Sequence, residues 1–263
     1  MLTKNKIKYI TSLAKKKFRD EEDVFLAEGA KVVGDILPYF RCLMLCGTKE
    51  YLSQHPELKA DEIIEISEAE LQKCSQLKTP RDVIAVFRQP TPSPLSGEEM
   101  REELCIVLDG VQDPGNLGTI IRLADWFGIH HIFCSEDTAD AFAPKVIQAT
   151  MGAITRVALH YTNLTRFLSS IPQGIPVYGT FLEGENIYGK TLSPNGLLIM
   201  GNEGNGIRPE TQAFINQKLF IPPHPAGCET SESLNVAIAT AICCAEFRRQ
   251  LHCQKRLIDR VKK

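Results

Sequence analysis

Two short, uninterrupted apolar runs constrain this chain more than any other feature: LCIVL at residues 104–108 and LLIM at residues 197–200. A strand with one face in water alternates apolar with polar residues. A run with no polar residue is expected of a strand buried on both faces, as in a parallel sheet covered by helices. Each run opens directly into a loop rich in glycine and hydrogen-bonding side chains, DGVQDPGN after the first and GNEGNG after the second. In such sheets ligands bind beyond the carboxyl ends of the strands, so these loops are where chemistry is to be sought.

The flanking sequence continues the same alternation. Residues 116–127 read as a helix with Leu117, Ile120, Ile121, Ala124 and Phe127 in one stripe. Further strands are expected at residues 131–134, 157–160, 177–181 and 218–221, and a long, mostly apolar helix at residues 233–251. No internal repeat is present. Upstream, QPTPSPLSGEEMREE at residues 89–103 carries three prolines and almost nothing to bury, the composition of a semi-extended linker. The chain of 263 residues therefore divides into a domain at residues 1–90, a linker at 91–103 and a second domain at 104–263. In the first domain a helix at residues 4–17 precedes strands at 24–27, 42–46, 63–66 and 83–87, with helices at 30–37, 49–54 and 68–74 between them. That is a small α/β layer domain.

Composition excludes more than it selects. The nine cysteines are scattered, with no CxxC pair, so neither a metal site nor a disulfide framework is expected. No stretch has the length of a membrane span and the N-terminus lacks the apolar block of a signal peptide; the expectation is a cytoplasmic protein with no membrane partner. A net charge of −2 gives no global pull on nucleic acid. The cations are nonetheless clustered, at residues 4–19 and again after Phe247, where they can neutralise phosphates or simply keep the chain ends solvated.

Three loops deserve chemistry. The first, residues 109–122 (DGVQDPGNLGTIIR), fits neither the phosphate loop GxxxxGK[ST], since Asn116 stands in place of lysine, nor the dinucleotide loop GxGxxG. A nucleotide-binding oxidoreductase is disfavoured accordingly. Asn116 is suited to cap the following helix, and Arg122 lies off the apolar stripe, free to face a cleft. The second loop sets three glycines around Glu203, which lets backbone approach a ligand closely. The third, residues 221–235 (IPPHPAGCETSESLN), runs into the apolar helix. Ser231 or Ser233 is a candidate cap, and a polar or anionic ligand would be favoured there. Asn235, placed inside the expected helix, is a poor helix former and needs a reason to be there.

Together the three loops resemble the signature motifs of the SpoU (TrmH-type) branch of the SPOUT RNA methyltransferases. The matching residues are Asn116 to Arg122 (NLGTIIR), Gly201 to Ile207 (GNEGNGI), and Ile221-Pro222 followed by Ser233 to Ala237 (SLNVA). The resemblance covers residues 104–251. The stretches FLAEGAKVV and TPRDVIAVF make the first domain similar to the ribosomal-protein-like α/β substrate-binding domain often fused to this family. The resemblance implies an α/β fold with a parallel sheet whose C-terminal part forms a trefoil knot, and a homodimer with the first-motif helix and the C-terminal helix near its interface. It implies S-adenosylmethionine as cofactor, held by Thr180, Phe181, Leu182, Gly201, Asn202, Gly206, Ile221, Ser233 and Leu234. It implies methyl transfer to a ribose 2′-hydroxyl of RNA, with Arg122 central and Asn116, Glu203, Ser233 and Asn235 around it, and no metal. Two positions depart from the family pattern. HPAGCETSE lengthens the third loop, leaving any role for Glu229 open, and Gln148 stands where arginine or lysine is common.

A ribose hydroxyl is a weak acid, so a positioned base or a strong stabiliser is needed. Arg122 either accepts the proton or, staying charged, clamps a phosphate and stabilises the developing oxyanion; the high pKa of guanidinium favours the second. The fused first domain tilts the substrate towards ribosomal RNA. Transfer RNA is the nearest alternative, and a non-catalytic RNA-binding module is the alternative from another class, disfavoured by the intact Asn116, Arg122, Glu203 and Asn235.

Overall fold

The computed structural model describes residues 2–91, 99–225 and 231–261, with side chains to residue 253 in the last helix. Two compact units form, one from residues 2–91 with 140–156, the other from 99–139 with 157–261.

In the first unit, β1 (Val24–Glu28), β2 (Cys42–Thr48), β3 (Glu62–Ile66) and β4 (Val83–Arg88) form one sheet in the order β1-β4-β2-β3. β4 runs antiparallel to β1 and β2, and β2 and β3 are parallel. Ile10, Leu13, Leu26, Cys46, Leu71 and Ile84 belong to its core. Each such aliphatic side chain contributes roughly 1.5–3 kcal/mol on full burial. The single helix expected at residues 4–17 is two, Lys4–Ser12 and Lys16–Glu22, because the chain turns at Leu13, which is fully buried.

The sequence-based division keeps residues 140–156 in the second domain, yet they pack with the first unit. Their helix, Pro144–Thr150, lies against β1, and the Phe142 ring lies tilted against that of Phe25, 5.2 Å between centroids. Arg19, only 2% exposed, pairs with Asp140 and donates to the Leu13 carbonyl at 2.6 Å. The basic run at residues 4–19 is thus partly neutralised at home: Lys6 pairs with Glu62, and Lys16 with Asp20.

In the second unit, β5 (Leu104–Asp109), β6 (His131–Cys134), β7 (Ala158–Tyr161), β8 (Val177–Asn186), β9 (Gly196–Gly201) and β10 (Gln217–Phe220) form an all-parallel sheet. The order is β10-β8-β9-β5-β6-β7. All six residues of β5 are buried, as is most of β9, as the uninterrupted apolar runs require. A parallel sheet brings the carboxyl ends of β5, β8, β9 and β10 to one edge.

Two helices meet that edge. The first spans Pro114–Trp126 and is capped by Asp113, whose carboxylate accepts from the Asn116 backbone N–H at 2.8 Å. Asp113 rather than Asn116 is therefore the cap, with proline in the first turn where it needs no N–H partner. The second spans Val236–Val261, and its cap is Asn235, not Ser231 or Ser233. The Asn235 side-chain oxygen accepts from the backbone N–H of Ala237 at 2.9 Å and of Ile238 at 3.3 Å. A poor helix former inside a helix is a good cap in front of one. Among the described residues no helix is long and apolar enough to cross a membrane.

Candidate functional site

The site begins with an irregularity in β8. Against β10, Gly179 pairs with Lys218 but Glu185 pairs with Leu219, so residues 180–184 bulge out of the ladder. A bulge of this kind frees backbone groups that a regular strand would use on its neighbour. The bulge carries Thr180, Phe181 and Leu182, so the strand expected to end at residue 181 runs on to Asn186.

Beside it, β9 ends at Gly201 and the chain turns back at once. Asn202 and Gly206 exchange two backbone hydrogen bonds of 2.9 Å. The Asn202 side-chain oxygen accepts from the N–H groups of Gly204 at 2.9 Å and Asn205 at 3.0 Å, and its amide donates to the Gly110 carbonyl at 2.7 Å. Asn202 therefore builds the turn and ties it to the loop after β5. A Cβ on Gly201 would lie 2.3 Å from the Gly206 carbonyl carbon; only glycine lets the two arms approach so closely. The turn is anchored again by Asp109, the last residue of β5 and fully buried, which accepts from the Arg208 backbone N–H at 2.9 Å and its Nε at 2.6 Å. Asp109 also draws the Arg208 guanidinium pKa upward, chiefly through that side-chain hydrogen bond.

Three residues from three separate loops then join in a chain. Asn235 Nδ2 donates to Asn116 Oδ1 at 2.9 Å, and Asn116 Nδ2 donates to Glu203 Oε1 at 2.9 Å. Since the Asn235 oxygen already caps its helix, each amide has both ends engaged, and Glu203 is oriented from the helix end through two asparagines. Asn116, Glu203 and Asn235 are thus brought together.

Glu203 also lines a cleft of about 720 Å³ between the bulge, the turn and the start of the C-terminal helix. All nine residues expected to hold the cofactor line it: Thr180, Phe181, Leu182, Gly201, Asn202, Gly206, Ile221, Ser233 and Leu234. The lining suits S-adenosylmethionine. Phe181, Leu182, Met200 and Leu234 offer apolar surface for a nucleoside, close-set backbone offers hydrogen bonds, and Glu183, Glu203 and Glu232 favour a cationic ligand. Arg122 is not part of this lining. It is exposed on the helix Pro114–Trp126, nearly two turns beyond Asn116, and among the described residues no hydrogen bond or ion pair joins it to the other expected ones. Glu229 lies outside the described residues, and Gln148 is half-buried on the helix that packs with the first unit.

Sequence reasoning passed over Asp109, Arg208 and Lys218. Asp109 carried a signal: a carboxylate ending a wholly apolar strand is buried with it and must find a cation or several N–H donors. Arg208 and Lys218 carried none, being ordinary cations at strand or turn positions. Among the described residues no group of three or more histidine, cysteine or carboxylate side chains is arranged to hold a metal.

A model of the SpoU rRNA methylase family matches residues 103–245, and a model of the MRM3-like substrate binding domain matches residues 4–85. A 23S rRNA (guanosine(2553)-2′-O)-methyltransferase of Bacillus subtilis is 30% identical over 240 residues, covering 90% of this chain and 93% of that one. Among solved structures, a Porphyromonas gingivalis protein of the TrmH family superposes with a TM-score of 0.85 at 45% identity, over 95% of this chain and 99% of that one. An rRNA methyltransferase from Sinorhizobium meliloti with bound AdoMet gives a TM-score of 0.82 at 31% identity, over 95% of this chain and 97% of that one.

Proposed function

The chain belongs to the SpoU rRNA methylase family, and from that premise we propose that it transfers a methyl group from S-adenosylmethionine to a ribose 2′-hydroxyl of ribosomal RNA. One observation carries the reading: Asn116, Glu203 and Asn235, from three loops far apart in sequence, are hydrogen-bonded in a chain at the mouth of a cleft whose lining suits that cofactor. A vestigial binding module would have no need of that arrangement. Ribosomal rather than transfer RNA is supported by the Bacillus subtilis relative and by the match of the first unit to a substrate-binding domain.

When bound, S-adenosylmethionine supplies a sulfonium methyl already activated for attack by oxygen. The chain supplies orientation and charge. Thr180 to Leu182, the Gly201 turn, Ile221 and the segment before the C-terminal helix enclose the donor. Glu203, fixed by Asn116 through one carboxylate oxygen, has the other free to accept a hydrogen bond from the ribose hydroxyl and orient its lone pair. Arg122 contributes a delocalised positive charge and a planar fork of N–H donors. Its task is to hold the RNA phosphate next to the reacting ribose and to stabilise negative charge as it grows on the oxygen. Ser233, exposed beside the cleft, contacts the nucleotide or the donor.

The reading includes a homodimer. Trp126 is 83% exposed and Ile238 52%, on two helices that pack against each other; a second copy covering them removes a large apolar area from water. Arg122 and Trp126 lie one turn apart, so covering the tryptophan brings the arginine to the interface. The reading also includes the trefoil knot. Its support is that the C-terminal helix is held by the loop joining β8 to β9, with Gln250 accepting from the Leu192 N–H and donating to the Lys190 carbonyl, both at 2.9 Å. The cytoplasm follows as the place of action from the ribosomal substrate. Mapping ribose methylation along ribosomal RNA from a strain lacking this protein, against its parent, is expected to show one 2′-O-methyl mark lost; unchanged marks throughout would overturn the substrate assignment.

A further inference from the structure

Among the described residues, the side chains lining the cleft include three carboxylates, Glu183, Glu203 and Glu232, and a single cation, Lys218. Lys218 stands on β10 where its register against β8 shifts, and its Nζ lies 5.0 Å from the centroid of the Phe181 ring. An ammonium over an aromatic face at this distance is held by the ring quadrupole, yet only one side of it faces the ring. Its N–H donors are three, so some are left for a ligand. Lys218 is exposed and forms no ion pair among the described residues.

We propose that Lys218 receives the carboxylate of the cofactor's amino-acid end, and that the cleft selects through it for ligands that carry that carboxylate. The inference rests on the reading of the cleft as an S-adenosylmethionine site. That molecule has one carboxylate and two cationic centres, the sulfonium and the α-ammonium, which is the inverse of the cleft's own charges. A carboxylate set against Glu183, Glu203 or Glu232 is repelled; against Lys218 it gains a charge-assisted hydrogen bond. The cationic centres are left to the acidic side, where Glu203 is already oriented by Asn116. Phe181 then has two parts: it walls the cleft and it steadies the lysine.

The test is calorimetry on the full chain with three ligands: S-adenosylmethionine, S-adenosylhomocysteine, which keeps the carboxylate but has no sulfonium, and 5′-methylthioadenosine, which has neither carboxylate nor sulfonium. Lys218→Met is expected to weaken the first two by about tenfold, the size of one charge-assisted hydrogen bond to a ligand, and to leave 5′-methylthioadenosine within about twofold. Lys218→Arg is expected to restore most of the loss. Thermal unfolding of both variants shows that each is folded. Equal losses for all three ligands would make Lys218 a packing residue acting through Phe181 and overturn the proposal. Unchanged affinity for S-adenosylmethionine would overturn it too. A parent chain that binds none of the three would bring down the reading of the cleft itself, a different failure from either.

Discussion

Replacing Gly201 by alanine puts a methyl group where the same loop's backbone already runs. The new Cβ would stand 2.3 Å from the Gly206 carbonyl carbon, 2.4 Å from the Ile207 nitrogen and 2.6 Å from the Gly206 oxygen. All three are backbone atoms, so no side chain can swing aside. Ordinary contact begins at 3.4 Å, and the arms of the turn must part by the difference, 3.4 − 2.3 = 1.1 Å. The two Asn202–Gly206 hydrogen bonds, 2.9 Å long, do not survive such a separation. Overpacking costs roughly 1–3 kcal/mol. Of that, about 2 kcal/mol expressed as loss of cofactor affinity corresponds to roughly thirtyfold in Kd. Gly189→Ala is the control, since its Cβ would meet nothing nearer than the Asn186 oxygen at 3.8 Å, away from the cleft. Calorimetric titration with S-adenosylmethionine should find the Gly201 variant weakened at least tenfold and the Gly189 variant unchanged. A Gly201→Ala protein binding within twofold of the parent, with the same thermal midpoint, would refute the claim that the close approach at this turn shapes the cleft.

Asn235 has two tasks that substitution can separate. Asn235→Ala removes the helix cap, costing about 1 kcal/mol, and releases Asn116, so both thermal stability and methyl transfer fall. Asn235→Asp keeps the cap but cannot donate to Asn116, so stability returns while transfer stays low; transfer restored by aspartate would contradict the relay. Burial pushes the Cys244 thiol up to about 12 and raises that of Cys243 as well. At pH 8 both stay protonated in the folded protein, and mass spectrometry after iodoacetamide should find exposed Cys253 alkylated before either of them. Equal labelling of Cys244 would contradict the packing of that helix. Trp126→Glu, placing a charge on the exposed apolar face, is expected to yield a monomer by sedimentation; an unchanged dimer would move the interface elsewhere.

The edge that carries the site was legible because a parallel sheet obliges it. Uninterrupted apolar runs mark β5 and β9 as doubly buried, and the loops after them must then open at the same edge. For that reason Asn116, Glu203 and Asn235, chosen from three separate stretches, end within hydrogen-bond reach of one another. What stayed hidden depends on contacts that no local pattern encodes. Residues 140–156 read as part of the alternation that continues around them, yet a buried Arg19–Asp140 pair and the Phe25–Phe142 contact hold them to the first unit's sheet. The bulge in β8 follows from its register against β10, which joins the sheet some thirty residues later in the chain. Helix starts were misjudged by two or three residues, because Asp113 and Asn235 both cap and both stand beside other plausible caps. Lys218 was invisible, because a lysine on an edge strand is an ordinary surface residue until the bulge sets Phe181 beneath it.

The central claim is that the three converging loops form a centre for methyl transfer to a ribose oxygen. Its most direct test supplies the purified chain with S-adenosylmethionine carrying a labelled methyl group and with ribosomal RNA, followed by digestion to nucleosides. The account predicts that the label appears in a 2′-O-methylated nucleoside and that Arg122→Ala, folded and binding the donor normally, leaves it out. Label on a base, or full transfer by the Arg122 variant, would contradict it.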